Sequence, residues 1–379
     1  MKQEKIFSSV DQIKGKLGMS QQEAEKLSVI VETYPMAVPE YYLSLIDPDD
    51  PEDPIRKMCI PSVSEMNRSG EIDTSGEADN TVALGLQHKY PQTVLILSTN
   101  HCAMYCRHCF RKRMVGATED EINNNFLSTV DYIKAHPEVN NILITGGDAL
   151  MLSHGMLKRY LAAFTDMPQL DFVRFGSRLP VVFPEKILAD DELQRLFKEY
   201  APKKQIFLIT QFNHPREVTE RAEACIRFFR ECGIIVRNQT VLLKGVNDDP
   251  DVLGTLLRKL TRIGVLPYYI FQCRPVRGVK DRFQVPLADG VKIVDAAKSQ
   301  QNGQGKAFRY CMSTPKGKVE ILGLLPNGEM LFKFHQAKAA EDQGRIFKMA
   351  VAEDQCWIEV WNKRTQYKFC TAFLHFWKR

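Results

Sequence analysis

From residue 94 to residue 272 the chain repeats one rhythm, in which short β-rich runs alternate with stretches of helical length. The runs are Val94–Thr99, Asn141–Thr145, Phe172–Gly176, Ile206–Gln211, Ile234–Leu243 and Tyr268–Gln272. Amphipathic stretches such as Glu119–Ala135 and Glu217–Cys232 lie between them. This alternation predicts βαβ units and a parallel sheet, because a parallel neighbour is reached only through a crossover connection. The fold class is therefore α/β, and six units suit a partial (β/α)6 barrel of the TIM type. Polar residues follow the strands: Gly146-Gly147-Asp148, Ser177-Arg178, Asn213-His214 and Arg274. Barrel active sites collect at that C-terminal edge.

Different sequence frames the barrel on both sides. Residues 1–85 read as a helical extension and linker. Ser20-Gln-Gln-Glu23 is a capping-box pattern opening a helix, and the Asp- and Pro-rich stretch Ile46–Pro54 cannot continue one. Residues 66–82 are polar and read as a loop. The barrel region is 86–300, and 301–379 forms a C-terminal segment. There Phe308–Met312, Lys318–Leu325 and Glu329–Phe334 look like short strands, with a Pro326-Asn327-Gly328 turn making the last two a hairpin. The basic, aromatic stretch 356–379 has no assignment.

Apolar residues make up 44% of the chain and charged residues 26%, ordinary values for a globular protein. No apolar run reaches the roughly 18–20 residues that span a bilayer, so no membrane partner is expected. The polar start, MKQEKIFSSVDQIKGKLG, has no secretory apolar core, and a cytoplasmic location is the expectation. Reduced thiols and metal ligands then account better than disulfides for the ten cysteines. The net charge of +5 is modest, and its densest run, Arg111-Lys112-Arg113, lacks the interleaved aromatics of a nucleic-acid surface. Anionic small molecules are the simpler partners.

Cys102, Cys106 and Cys109 stand in a C-x3-C-x2-C run just after the first barrel strand. Iron–sulfur clusters are normally held by four thiolates. Three on one loop can hold three irons of a cubane and leave the fourth open to a chelating molecule, and an open position marks chemistry rather than scaffolding. The alternatives are chance clustering or half of a zinc site completed by His101 and His108, although the chain has no second C-x2-C pair.

The spacing is similar to that of radical S-adenosylmethionine (SAM) enzymes, and seven longer runs narrow the resemblance. YYLSLIDPDDPEDPIRK, CAMYCRHCFRKR, LITGGDAL, FGSRLPVVFP, FNHPREVT, NQTVLLKGVND and PYYIFQC resemble, in order, the lysine 2,3-aminomutase family. The resemblance covers roughly residues 35–335. It implies a 4Fe-4S cluster on the three cysteines, SAM, pyridoxal 5′-phosphate (PLP), a homo-oligomer, and an electron donor for the cluster. In such enzymes an adenosyl radical takes hydrogen from the substrate β-carbon, and the amino nitrogen, held as an imine, moves from Cα to Cβ. The cofactors carry that chemistry and the protein positions it.

The resemblance places Gly146, Gly147 and Asp148 beside SAM. It implies that Arg111 grips the substrate α-carboxylate, where a planar guanidinium can bind bidentately; the rival is a solvated member of a basic run. Lys89 and Tyr90 fall at the cofactor-phosphate site, with Lys89 in place of an arginine and Thr93 in place of a second. The PLP lysine falls in Ser313-Thr-Pro-Lys-Gly-Lys318, either at Lys318, which opens the following strand, or at Lys316. Lysine-specific relatives hold the substrate ammonium with two aspartates, and this chain has Arg274 and Ser313 there. An ammonium beside an unpaired arginine is strongly disfavoured, so a glutamate-like or neutral substrate is expected instead of lysine. The intersubunit zinc of those relatives is not expected, because Asp249 replaces one cysteine and Cys356 and Cys370 do not reproduce the others. The remaining cysteines, Cys59, Cys225, Cys232, Cys273 and Cys311, read as buried, inert thiols. Lysine 2,3-aminomutase proper, a related radical enzyme with another reaction, and a cluster protein for electron transfer or sensing remain the alternatives.

Overall fold

The computed structural model describes residues 5–359, so most of the unassigned tail, Cys370 included, lies outside the described residues. One sheet of twelve strands organises them, and every strand pairs with its neighbour in sequence. We number the strands β1 (Thr81–Ala83), β2 (Leu86–Tyr90), β3 (Thr93–Thr99), β4 (Asn141–Gly146), β5 (Phe172–Gly176) and β6 (Gln205–Thr210). The series continues with β7 (Ile235–Leu242), β8 (Leu266–Gln272), β9 (Arg309–Thr314), β10 (Gly317–Leu324), β11 (Glu329–Ala337) and β12 (Ile346–Ala350). The pairs from β3 to β9 are parallel, while β1–β3 and β9–β12 run antiparallel. The six expected barrel strands are all present, and the run expected at Phe308–Met312 joins them as a seventh.

Helices α1 (Gln21–Thr33), α2 (Phe126–Ala135), α3 (His154–Thr165), α4 (Asp191–Tyr200), α5 (Glu220–Glu231), α6 (Pro250–Arg262) and α7 (Leu287–Ser299) carry the extension and the crossovers. Local chemistry sets where they start. Asn125, Ser153, Asp190, Thr219 and Asp249 each accept backbone N–H bonds at the first turn of α2 to α6, satisfying donors that a helix leaves unpaired. Ser20 likewise accepts from the Glu23 N–H at the start of α1. Two expected helices begin later than their periodicity suggests. Residues 119–125 stay outside α2 because Asn123 is tied to the sheet, its N–H donating to the Leu97 carbonyl and its side chain to the Leu84 carbonyl. Glu217 precedes α5 because its side chain is turned fully inward.

Within β7, burial alternates residue by residue. Val236, Asn238, Thr240 and Leu242 are buried, whereas Gln239 and Val241 line an axial cavity. This period of two separates core from site. The main core lies between the parallel strands and their helices; a second, with Leu253, Val294, Phe332 and Phe334, fills the space under α7 and the C-terminal strands. The ends of the arc meet across the cavity: Lys89 Nζ on β2 donates to the Thr314 carbonyl at the end of β9 (2.6 Å) and to the Ser75 carbonyl (3.2 Å). Among the described residues, no helix is long and apolar enough to cross a membrane.

Candidate active site

The loop after β3 carries Cys102, Cys106 and Cys109 to the C-terminal end of the parallel strands. Their sulfurs do not all lie within 4.8 Å of one another. A single tetrahedral zinc, with Zn–S near 2.3 Å, would draw them to about 3.8 Å, closer than the three sulfurs stand. His101 and His108 do not complete a zinc set either. His101 is exposed, and buried His108 is held by Gln211 (3.3 Å) and Asn213 (3.2 Å). Burial, with Arg178 nearby, pushes the His108 imidazole down to about 3, so it stays neutral. Leu97, Met114 and Val115 pack beside Cys102 and Cys109. Burial and the neighbouring Cys106 raise the Cys109 thiol to about 11. Metal binding there must therefore release protons.

The turn after β4 buttresses this loop. Gly146 has φ +124°, and a Cβ on it would run into the Thr99 carbonyl; a Cβ on Gly147 would strike the His101 carbonyl. Without side chains, the Gly147 N–H reaches Thr99 O (2.5 Å) and the Asp148 N–H reaches His101 O (2.8 Å). The Asp148 carboxylate accepts the backbone N–H groups of Leu150 (3.0 Å) and Arg178 (2.8 Å). It ties the turn to β5, an architectural task that the sequence did not reveal. Arg178 then holds the cysteine loop directly, donating to Cys106 Sγ, to Glu217 (2.5 Å) and to the Gln211 carbonyl (2.9 Å).

The basic run Arg111-Lys112-Arg113 is turned inward and is no surface patch. Arg111 and Lys112 are buried and Arg113 is half-buried. Glu77 takes Arg111 at 2.8–2.9 Å through Nε and Nη2, and Arg113 at 2.7 Å. Burial alone would raise the Glu77 carboxyl, but Arg111 and Arg113 hold it down at about 2. Glu65 does the same for Arg107 and Lys112. Arg111 thus borders the cavity already paired. Three of its donors are used on Glu77 and the Gly146 carbonyl, and two of the five a guanidinium carries remain.

Lys89, Tyr90, Arg274, Ser313 and Lys318 line the same cavity of about 590 Å³ as the cysteines, Gly146, Gly147, Asp148 and Arg111, within the roughly 300–1,000 Å³ typical of small-molecule sites. Ser313 and Thr314 end β9, a tight turn follows, and Lys318 pairs with Ser313 across the hairpin. Gly317, at φ +149°, allows that close approach to β11. Lys318 therefore projects into the cavity, whereas Lys316 sits in the turn and does not line it. Lys318 Nζ donates to Gln336 Oε1 (2.8 Å) and lies 4.9 Å from the centre of the Tyr90 ring. Burial, with Arg174 as a neighbour, pushes its ammonium down to about 8. Burial and Arg274 push Lys89 down to about 7. Arg274 stacks 4.1 Å from the Phe110 ring centre and donates to Ser75 Oγ; burial brings it down to about 10.

Sequence reasoning passed over Ser75, Glu77 and Arg174 as functional residues, and gave Arg178 no role. Ser75 and Glu77 lie in a stretch read as a plain polar loop, and nothing local distinguishes a buried glutamate there from a solvated one. Asp249 caps α6, its side chain accepting the backbone N–H groups of Asp251 and Val252. Cys59, Cys225, Cys273 and Cys311 are buried, while Cys232 is half-buried. Among the described residues the one group of three that could ligate an ion is His88, His136 and Glu138. Both ring nitrogens of His88 are already bonded, to Tyr132 (2.9 Å) and the Pro91 carbonyl (3.1 Å).

No protein-family model matches the chain. Among characterised proteins, it is 38% identical over 341 residues to a putative L-lysine 2,3-aminomutase of Aquifex aeolicus, covering 89% of this chain and 91% of that one. It is 38% identical to the L-lysine 2,3-aminomutase of Clostridium subterminale over 81% of this chain and 72% of that one. It is 35% identical to the glutamate 2,3-aminomutase of Clostridioides difficile over 82% and 72%. A radical SAM methyltransferase of Sphaerobacter thermophilus is similar at TM-score 0.35 and 15% identity over 60% of this chain and 68% of that one, too loosely to add weight. The cofactors of this enzyme are a 4Fe-4S cluster, SAM and PLP. A loop with three cysteines and a lysine projecting into a cation-lined cavity suit that set, and the chain belongs to the lysine 2,3-aminomutase family of radical SAM isomerases.

Proposed function

We propose that this aminomutase acts on an amino acid with an acidic or neutral side chain, glutamate or a close relative, and not on lysine. The observation that carries this is a charge count along the cavity wall. Its only carboxylates among the described residues are Glu77 and Asp148. Both are engaged, Glu77 by two arginines and Asp148 by backbone N–H groups. Lys89, Arg274 and Lys318 line the same wall with no carboxylate within ion-pairing distance. A substrate ammonium would find no free carboxylate there and would meet uncompensated like charge, whereas a carboxylate or amide would find donors.

Each residue then has a task. Cys102, Cys106 and Cys109 would hold the cluster. Gly146, Gly147 and Asp148 shape the wall beside it for SAM. Lys318 offers an amine that loses its proton near pH 8 and so can attack a carbonyl, with Lys89 and Tyr90 at its flank. Arg111 presents its two unused N–H groups to the substrate α-carboxylate, and Arg274 and Ser313 face the substrate side chain. When bound, the cluster and SAM supply a carbon radical that removes hydrogen from the β-carbon, and PLP supplies the carbonyl carbon that carries the migrating nitrogen. Homo-oligomeric assembly, an external electron donor and a cytoplasmic setting belong to the same reading.

The test is an anaerobic screen of amino acids with reconstituted enzyme and mass detection of β-isomers. Glutamate or a neutral relative should be converted. Lysine turning over to β-lysine faster than glutamate to β-glutamate would overturn the substrate assignment.

A further inference from the structure

Arg174, in the middle of β5, lines the cavity and has no carboxylate partner among the described residues. Its Nη2 donates to Asn141 Oδ1 (2.5 Å), its Nε is buried without a hydrogen-bond partner, and it lies 5.9 Å from the Phe172 ring centre. Asn141 is neutral and is itself held, taking the Thr93 hydroxyl (3.2 Å) and donating to the Gln92 carbonyl (2.9 Å). It orients the guanidinium without balancing its charge. A half-buried cation with a buried free donor and no counter-charge is costly, and such groups are retained where a ligand supplies the charge.

The neighbourhood narrows the ligand. Arg174 is the largest charged influence on Lys318, and Arg274 acts on both Lys318 and Lys89. Several cations and no carboxylate fit a small dianion with several acceptor oxygens. In PLP the phosphate ester and the aldehyde stand on adjacent ring carbons, so a lysine at the aldehyde brings the phosphate within a few bonds of its own amine. Thr93 on β3 carries no charge, and its hydroxyl bonds to the same Asn141 oxygen that positions Arg174.

We propose that Arg174 is a phosphate anchor of the PLP site, supplying from β5 a second charge beside that of Lys89 on β2. The inference rests on PLP being the cofactor, and the experiment separates the two. Cluster-free protein is titrated with PLP and, in parallel, with pyridoxal, which has the aldehyde but no phosphate; bound cofactor is read by absorption. Arg174→Gln should weaken PLP roughly 10- to 100-fold, the worth of one or two charge-assisted hydrogen bonds. It should leave pyridoxal affinity unchanged. Arg174→Lys should fall between, and Arg237→Gln, a cation of the same barrel that does not line the cavity, should behave as wild type. Inorganic phosphate should raise the melting temperature of wild type and not of Arg174→Gln, which also shows whether the variant is folded. Equal loss of PLP and pyridoxal, or unchanged PLP affinity, overturns the anchor. Failure of wild type to bind PLP at all overturns the cofactor assignment instead.

Discussion

The mouth of the cavity and its floor are both rich in cations and treat them in opposite ways. Around the cysteine loop each buried cation has an acid: Arg107 and Lys112 have Glu65, Arg111 and Arg113 have Glu77, and Arg178 has Glu217. On the floor, Lys89, Arg174 and Lys318 bond only to carbonyls and amides; Arg274, stacked on Phe110 beside the cysteine loop, likewise has no acid and donates to a hydroxyl. Paired cations are architecture, since they satisfy one another before any ligand arrives. Unpaired ones, depressed in proton affinity by burial and by each other, form a site that a bound anion completes.

The largest effect should come from removing an acid at the mouth. Glu65→Gln strands Arg107 and Lys112 in the interior, and denaturant unfolding should show a loss of about 3–5 kcal/mol. Arg274→Met, which removes a cation with no acid, should leave the cofactor-free protein at least as stable as wild type. Comparable losses in the two variants would erase the distinction. Next in size, Arg178→Gln removes the donor on Cys106 Sγ and should weaken cluster retention about 10- to 100-fold, as lost supporting contacts do at other metal sites. Iron content after chelator challenge measures it, and Arg274→Met should keep its iron.

The smallest expected effect is a pH dependence confined to the floor. Lys318 loses its proton near pH 8 in the folded chain, against an ordinary value of 10.5. The rate of PLP capture by cluster-free protein should rise about fivefold from pH 7 to pH 8 and level off above, following the neutral fraction of the amine. The sign for stability follows from proton counts. Between about 8 and 10.5 the unfolded chain binds more protons at this lysine than the folded one, so stability rises with pH across that window. Lys89, brought down to about 7, extends the window downward. A melting temperature that falls from pH 7 to pH 9 would contradict the unpaired floor.

Much of this was legible before any coordinates. Val94–Thr99 and its five successors announced a parallel sheet because the period of alternation is a local property of the chain. The cysteine spacing did the same for the cluster, since three ligands on one loop need no long-range contact to be recognised. Glu77 was not legible. Its burial depends on Gly76, at φ +64°, turning a polar loop under Arg111, 34 residues further along the chain. Arg174 looked like any strand arginine until β4 and β5 set Asn141 beside it.

The sequence by itself determined the alternating sheet and the cysteine loop, because these follow from local spacing; the family resemblance narrowed the cofactor lysine only to Lys318 or Lys316. Only the tertiary structure decided which charges are already paired. Ion pairing is a matter of a few ångströms between residues far apart in the chain, and in this protein it separates scaffold from site.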